Sequence, residues 1–455
     1  MGDETASADE AGRGPRPLAT GIRSWGRYPR SRQDVVAYRD RAAPLPIDGR
    51  DGLKLLAYGN GRSYGDSCLN DGGLLVDCRP LDRIIAFDPQ TGILRAEAGL
   101  LIGEVIARCL PLGWFVPVTP GTALVTLGGA LANDVHGKNH HRAGTFGCHV
   151  RAFELVRSDG SRMLCTPGRN AGFFAATIAG MGLTGVVTWI ELQLMRVAGP
   201  LVEERMERFG RLDDFFARVG EAERRHAYSV AWIDSLASGD ALGRGLLISG
   251  DHAPAVATNS ERRPRIRPRV PFDLPVAVVN RPVLKAFNAL YWRRVPSAGR
   301  ERRVGISPFF HPLDAIGDWN RLYGPRGLLQ HQSVLPEGAA LDAVREMLML
   351  CQRRAHGSFL TVLKRFGSIA SPGIMSFPRP GITLTLDFAI RGASTFALLD
   401  ALDEITLAAG GRVNPYKDAR MSAASFRAFF PEHERLAPFL DPAFSSGFWR
   451  RVTGG

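Results

Sequence analysis

Through the first half of the chain, apolar residues fall in short runs or alternate with polar ones, and glycine, aspartate or proline separates the runs. Lys54–Tyr58, Leu74–Cys78, Arg83–Phe87 and Ile93–Glu97 fit strands, since successive side chains of a strand face opposite sides. Leu101–Leu110 instead places Leu101, Ile102, Val105, Ile106, Cys109 and Leu110 at helical spacing and ends before Gly113. A second strand group follows at Val150–Arg157, Arg162–Cys165 and Gly185–Val197, with a turn at Asp159-Gly160 and a helix over Phe173–Ile178. The strict strand–helix–strand rhythm of a doubly wound sheet is missing.

Beyond Pro200 the pattern predicts strand–helix–strand over 201–248, with Leu212–His226 helical and Ser229–Ile233 extended. Further strands are expected at 328–335, 357–366 and 382–390, and helices at Gly338–Arg354 and Ser394–Ala409. Asp251–Arg269, rich in proline and arginine, is expected to be a mobile loop.

At 455 residues the chain is too long for one ordinary core, which favours two joined domains. Its 45% hydrophobic and 22% charged content is that of a globular protein. No long uninterrupted apolar run suits a membrane span; Val187–Val197 is broken by Glu191, Gln193 and Arg196. The acidic stretch Met1–Gly12 lacks the apolar core of a secretory signal, and residues 1–17 are read as a flexible tail. Six scattered cysteines without paired spacing suit a reducing compartment and argue against a structural zinc site. A cytoplasmic location follows, with peripheral membrane association open. Much of the net charge of +12 sits at Arg262, Arg263, Arg265, Arg267 and Arg269, then at Arg293, Arg294, Arg300, Arg302 and Arg303. A solvated loop, an anionic lipid surface or a phosphorylated substrate would each suit these runs, whereas no nucleic-acid signature accompanies them.

Three motifs carry chemistry. Tyr58–Asp66 (YGNGRSYGD) follows a strand, and its glycines let main-chain N–H groups approach a phosphate. The spacing of Gly59, Gly61 and Gly65 departs from the dinucleotide fingerprint, and no apolar helix follows. Pro117–Thr122 (PVTPGT) precedes Thr126–Asn133 (TLGGALAN), where Thr126 can cap a short helix opening on Gly128-Gly129. His136–Gly147 (HGKNHHRAGTFG) is no Walker loop, because Ala132 and Asn139 stand at required positions. Nor does the spacing of His136, His140 and His141 fit a helical zinc motif, so a polar loop beside a cofactor is the better reading.

These motifs, with GLTGVV (182–187), FFHPLDAIGDWNRLYGP (309–325), LLQHQSVLP (328–336), FLTVLKRFG (359–367) and YKDAR (416–420), resemble the decaprenylphosphoryl-ribose 2′-oxidase family of flavoenzymes over about residues 20 to 430. The resemblance implies an α+β, two-domain FAD-binding fold of the PCMH/vanillyl-alcohol-oxidase type. The flavin domain would take residues 18–197 and a C-terminal segment, 410–455. A substrate domain built on an antiparallel sheet would occupy 198–409, with a basic mobile loop near 251–305. Tyr64 stands where covalently flavinylated relatives carry the attaching histidine, which implies noncovalent FAD.

By the same match, Gly59, Asn60, Gly61, Arg62, Ser63, Tyr64, Gly65 and Asp66 would line FAD, as would Pro120, Gly121, Thr122, Thr126, Gly128, Gly129, Asn133, His136, Gly137, Gly185, Val186, Val187 and Lys417. Lys138, Gln332, Lys364, Thr385 and Asn414 would face the substrate, and Lys417, His136 and Lys364 would be catalytic. Thr385 replaces a frequent cysteine and Asn414 a usual tyrosine, which leaves the substrate open. No metal is expected. The implied reaction oxidises the 2′-hydroxyl of a polyprenyl-phosphoryl ribose to the keto sugar, the first half of an epimerisation to arabinose for cell-wall polysaccharide. A separate NAD(P)H-dependent reductase would complete it, and a quinone or another acceptor would reoxidise the flavin. A free-sugar or alditol oxidase is the alternative within the superfamily. A flavin-free binding protein at a membrane surface is the alternative outside it.

Overall fold

The computed structural model describes residues 21–50, 52–254, 268–274 and 280–454. The expected N-terminal tail and Arg262, Arg263, Arg265 and Arg267 lie outside the described residues. The fold is α+β, and the described residues hold their strands in four sheets. A small parallel sheet places Leu74–Asp77 between Asp34–Ala37 and Leu55–Tyr58. A five-stranded antiparallel sheet runs in the order Ile84–Asp88, Ile93–Glu97, Val186–Gln193, Val150–Val156, Arg162–Cys165. Met195–Arg196 pairs separately with Trp114–Phe115. The largest sheet has eight antiparallel strands, ordered Arg300–Gly305, Leu201–Phe209, Gly245–His252, Tyr228–Ile233, Thr361–Phe366, Gly381–Ala389, Leu328–Leu335 and Arg412–Val413.

The two faces of this large sheet do different things. Leu329, Leu363, Leu384 and Leu386 pack with helices Leu212–Arg225, Glu337–Arg353 and Ala393–Ala408 in one apolar core. Because side chains alternate along a strand, the residues between them point the other way. Gln330, Gln332, Lys364 and Thr385 thus converge on the opposite face, where they line a cavity. His331, in phase with the leucines, instead reaches Asp403 on the last of those helices.

After Arg412–Val413 the chain returns to the N-terminal sheets. Phe426, Phe430, Phe448 and Val452 pack with Met181 and Leu183. Arg451 reaches Asp66 at 2.8 Å and Asp418 at 3.1 Å, so the C-terminal helix Gly447–Thr453 clamps the loop after Leu55–Tyr58.

Within the basic stretch expected as a mobile loop near 251–305, residues 281–293 and 300–305 form regular secondary structure. Arg281–Arg293 is a helix, capped by the Asn280 side chain accepting from the Val283 N–H, with Pro282 in its first turn. Arg300–Gly305 is an edge strand in which Arg302 and Arg303 have partners across the ladder. Arg302 meets Glu204 at 2.7 Å and Arg303 meets Glu203 at 2.8 Å, each pair in register. Cross-strand pairing of opposite charges turns what reads as a charge run into a strand.

Candidate active site

The loops that read as phosphate cradles meet in one cavity of ≈ 630 Å³ between the five-stranded sheet and the polar face of the eight-stranded one. Asn60 donates to the Leu124 carbonyl at 2.8 Å, and Asn133 donates to the Ser63 hydroxyl at 3.3 Å, so the loops lock together. Thr126 caps the helix Leu127–Ala132 by accepting from the Gly129 N–H. Glycine is required at 59, because a Cβ there would lie 2.4 Å from the Thr126 hydroxyl oxygen. Asp134, fully buried, fixes the next loop by accepting from the Gly147 N–H and from the Ser371 and Ser376 hydroxyls.

On the opposite wall, the Lys364 Nζ lies 3.1 Å from His136 Nδ1, and the Gln332 Nε2 lies 3.1 Å from His136 Nε2. Asn414 donates to the Gln332 Oε1 at 2.9 Å. The Lys417 ammonium sits 4.3 Å from the Tyr64 ring centroid, a cation–π distance. Lys138 packs over the Phe309 ring and donates to the Phe309 carbonyl.

Burial decides the charge state of these groups, since removing a cation from water disfavours it. It brings Lys417 down to about 8, although the Asp387 carboxylate works the other way. Lys138 falls to about 8 by burial, opposed by Glu204. Lys364 falls to about 7 through burial and then through the charges of Lys138 and Lys417. His136 is held well below its ordinary value by burial and then by Lys364, so it is neutral. Asp387 is pushed up to about 7 by burial, against its bond from Gln330 and the charge of Lys417.

Most residues expected at the site do line the cavity, including Gly59 to Tyr64, Pro120, Gly121, Thr122, Thr126, Gly128, Gly129, Asn133, His136, Gly137, Lys138, Gly185, Val187, Gln332, Lys364, Thr385, Asn414 and Lys417. Three do not. Val186 turns into the core beneath the small sheet, because its neighbours Gly185 and Val187 take the cavity face of the strand. Gly65 is needed for packing, as a Cβ would fall 1.6 Å from the Asp418 carbonyl oxygen. Asp66 is committed to Arg451. His140 accepts from the Gly367 N–H, and His141 bonds the His226 carbonyl, so neither joins His136 at the cavity.

Sequence reasoning missed Gln330, Asp387 and an apolar extension formed by Trp232, Ile248, Tyr291 and Ile316. Gln330 carried a signal, for it stands two residues from Gln332 on an alternating strand.

A model described as an FAD binding domain matches residues 28–166. Decaprenylphosphoryl-β-D-ribose oxidase of Mycolicibacterium smegmatis is 34% identical over 451 residues, covering 95% of this chain and 97% of its own. The chain belongs to the decaprenylphosphoryl-β-D-ribose oxidase family. It is an FAD-dependent oxidoreductase. An uncharacterised protein in the mprA 5′ region of Streptomyces coelicolor is 38% identical over 75% of this chain and 97% of its own. The human Δ24-sterol reductase is 30% identical over 32% of this chain and 28% of its own. That last match is confined to about a third of the chain.

The residues present fit FAD as the family requires. Gly59, Gly128 and Gly129 line the cavity wall, where the loop and the helix pack closely enough that a Cβ would meet Thr126 at 59 and 129 and Ala98 at 128. Arg62, stacked 4.7 Å from the Trp25 ring centroid, keeps a buried Nε with no partner among the described residues, which is free for an anionic or carbonyl oxygen of the cofactor.

Proposed function

We propose that this protein oxidises the 2′-hydroxyl of a polyprenyl-phosphoryl ribose to the 2′-keto sugar, using noncovalently held FAD. The observation that carries the reading is the single cavity in which phosphate-cradling loops, His136, Lys364 and Lys417 share a wall with an apolar extension. The name of the Mycolicibacterium smegmatis relative supplies the substrate class.

FAD, when bound, supplies the hydride acceptor. Lys417 takes the hydroxyl proton at its Nζ. Its lowered pKa leaves a useful fraction of free amine near neutral pH, and Asp387 with the Tyr64 ring steadies the ammonium that forms. His136, neutral and edge-on to Phe366 with ring centroids 4.8 Å apart, orients Lys364 and Gln332. Trp232, Ile248, Tyr291 and Ile316 accommodate apolar chain and exclude water. The test is whether a polyprenyl-phosphoryl ribose reduces the flavin where free ribose and alditols fail. Reduction by the free sugars alone would favour the alditol-oxidase reading.

Noncovalent attachment is supported by Tyr64, which lines the cavity at the position where covalently flavinylated relatives carry the attaching histidine. Acid precipitation should therefore release all the yellow colour into the supernatant, and flavin retained in the pellet would contradict it. The product is a ketone, so its conversion to an epimer calls for a separate reductase working with a nicotinamide cofactor.

Peripheral contact with an anionic bilayer is part of the same proposal. No described helix is long and apolar enough to cross a membrane. Phe272, Val283, Leu290 and Ile316 are exposed apolar side chains; the first three lie in the same segments as Arg269, Lys285 and Arg293, and Ile316 adjoins Gly317, which bridges to Arg269. Arg269, Tyr291 and Ile316 also line the cavity, so a lipid-borne substrate could enter from that side. Leu290→Asp is expected to abolish cosedimentation with phosphatidylglycerol vesicles at low salt. Undiminished binding would remove this helix from the contact.

A further inference from the structure

A run of hydrogen bonds behind the catalytic wall has a fixed polarity. The Tyr416 main-chain N–H, 3.0 Å from Asn414 Oδ1, can only donate, so it settles which end of the Asn414 amide is oxygen. The Asn414 Nδ2 therefore faces Gln332 and donates to its Oε1 at 2.9 Å. That leaves the Gln332 Nε2 to donate twice, to the Thr383 hydroxyl oxygen at 3.2 Å and to His136 Nε2 at 3.1 Å. A neutral imidazole that accepts at Nε2 must carry its proton on Nδ1. The Nδ1–H then points at the Lys364 Nζ, 3.1 Å away, and only an uncharged amine can accept it. An ammonium there would set donor against donor.

We propose that Asn414, acting through Gln332, is a positioning residue that fixes His136 as its Nδ1–H tautomer and so holds Lys364 as an uncharged amine whose lone pair is turned away from substrate. Lys364 then offers N–H groups to a substrate oxygen and is not the proton acceptor, which leaves that role to Lys417. Other surroundings agree. Lys364 is lined on the cavity side by Lys138 and Lys417 and on its histidine side by His136 and His140, and no carboxylate is among the groups that shift it. Burial and those two lysines already draw it down to about 7. Thr383, opposite Lys364 in the ladder, has a hydroxyl that can rotate to serve either polarity, so the direction is imposed from Asn414.

The role in turnover rests on the alcohol-oxidation reading, whereas the protonation pattern does not. The test is therefore made on the FAD-loaded protein without substrate, by NMR with ¹⁵N-histidine and ε-labelled lysine. His136 and Lys364 are assigned by the signals lost in His136→Gln and Lys364→Met. Wild type should show His136 protonated at Nδ1 and bare at Nε2. In Asn414→Asp at pH 8 a carboxylate accepts from both the Tyr416 N–H and a turned Gln332 amide, so the run reverses. His136 should move its proton to Nε2, and the Lys364 titration midpoint should rise by about 1 unit or more, as for an amine made hydrogen-bond donor near a new anion. Gln332→Glu reverses the lower half of the run independently and serves if the first variant does not fold. Nε2 protonation in wild type would overturn the proposal, as would an Nδ1 proton that persists in both variants. The kinetic arm is separate. Lys364→Met should raise KM for the alcohol more than it lowers kcat and should leave the pH limb of kcat in place. Loss of that limb would make Lys364 the proton acceptor and refute the role assigned to it.

Discussion

Lys417→Ala is expected to give a folded, yellow protein whose flavin the substrate bleaches about 10²–10⁴-fold more slowly, the range that general bases contribute. The Lys417 side chain is half-buried against the Tyr64 ring and makes no side-chain hydrogen bond among the described residues. Its removal should therefore spare cofactor binding and strike the proton transfer. The sign of the pH dependence follows. An amine whose pKa burial lowers to about 8 is protonated below that pH and cannot accept a proton, so flavin reduction should rise with pH and level off above about 8. The alanine variant should lose this limb. Normal bleaching in that variant, or an unchanged limb, would take Lys417 out of the mechanism. The neighbouring Asp418 is buried and pairs with Arg451, and no ion pair joins it to Lys417 among the described residues.

The largest effect on stability is expected from Arg451→Ala. This guanidinium lies 2.8 Å from Asp66 and 3.1 Å from Asp418, both carboxylates being buried. Removing it leaves Asp66 without its countercharge, and leaves Asp418 with the main-chain N–H groups of Arg420 and Met421 and the field of the Arg420 guanidinium. Burial already raises the Asp66 carboxyl despite Arg451, so losing the arginine adds to an existing penalty. Breaking such a pair costs about 3–5 kcal/mol, and the partial exposure of Arg451 argues for the lower end. The loop Tyr58–Asp66 should loosen with it, so FAD should dissociate before the protein unfolds. Denaturant melts with flavin fluorescence as a second probe would show both events. Adding Asp66→Asn and Asp418→Asn to the variant should recover most of the loss, because the cost lies in the unpaired charges. A melt unchanged from wild type would mean that the C-terminal helix does not clamp the flavin loop.

Much of this arrangement is legible in local sequence because it follows from short periods. The alternation in 328–335 places Gln330 and Gln332 on one face and Leu329 and His331 on the other, and the observed strand keeps that phase. Thr126 is readable as a cap because the N–H it accepts from is only three residues on. What could not be read has its cause far along the chain. Gly65 and Asp66 look like part of a cofactor loop until Asp418 and Arg451 arrive beside them. Arg302 and Arg303 read as a charge run because Glu204 and Glu203, which pair with them, lie in another strand of the ladder. Val186 differs for the opposite reason: it sits inside the motif GLTGVV, but the strand period sends it to the face away from Gly185 and Val187.

The most direct test of the central claim is the visible spectrum of the purified protein, followed anaerobically as a polyprenyl-phosphoryl ribose is added. Flavin bands that bleach stoichiometrically, with a 2′-keto sugar formed in equal amount, are the expected result. Flavin bands that stay unchanged with that substrate but bleach with free ribose or an alditol would contradict it.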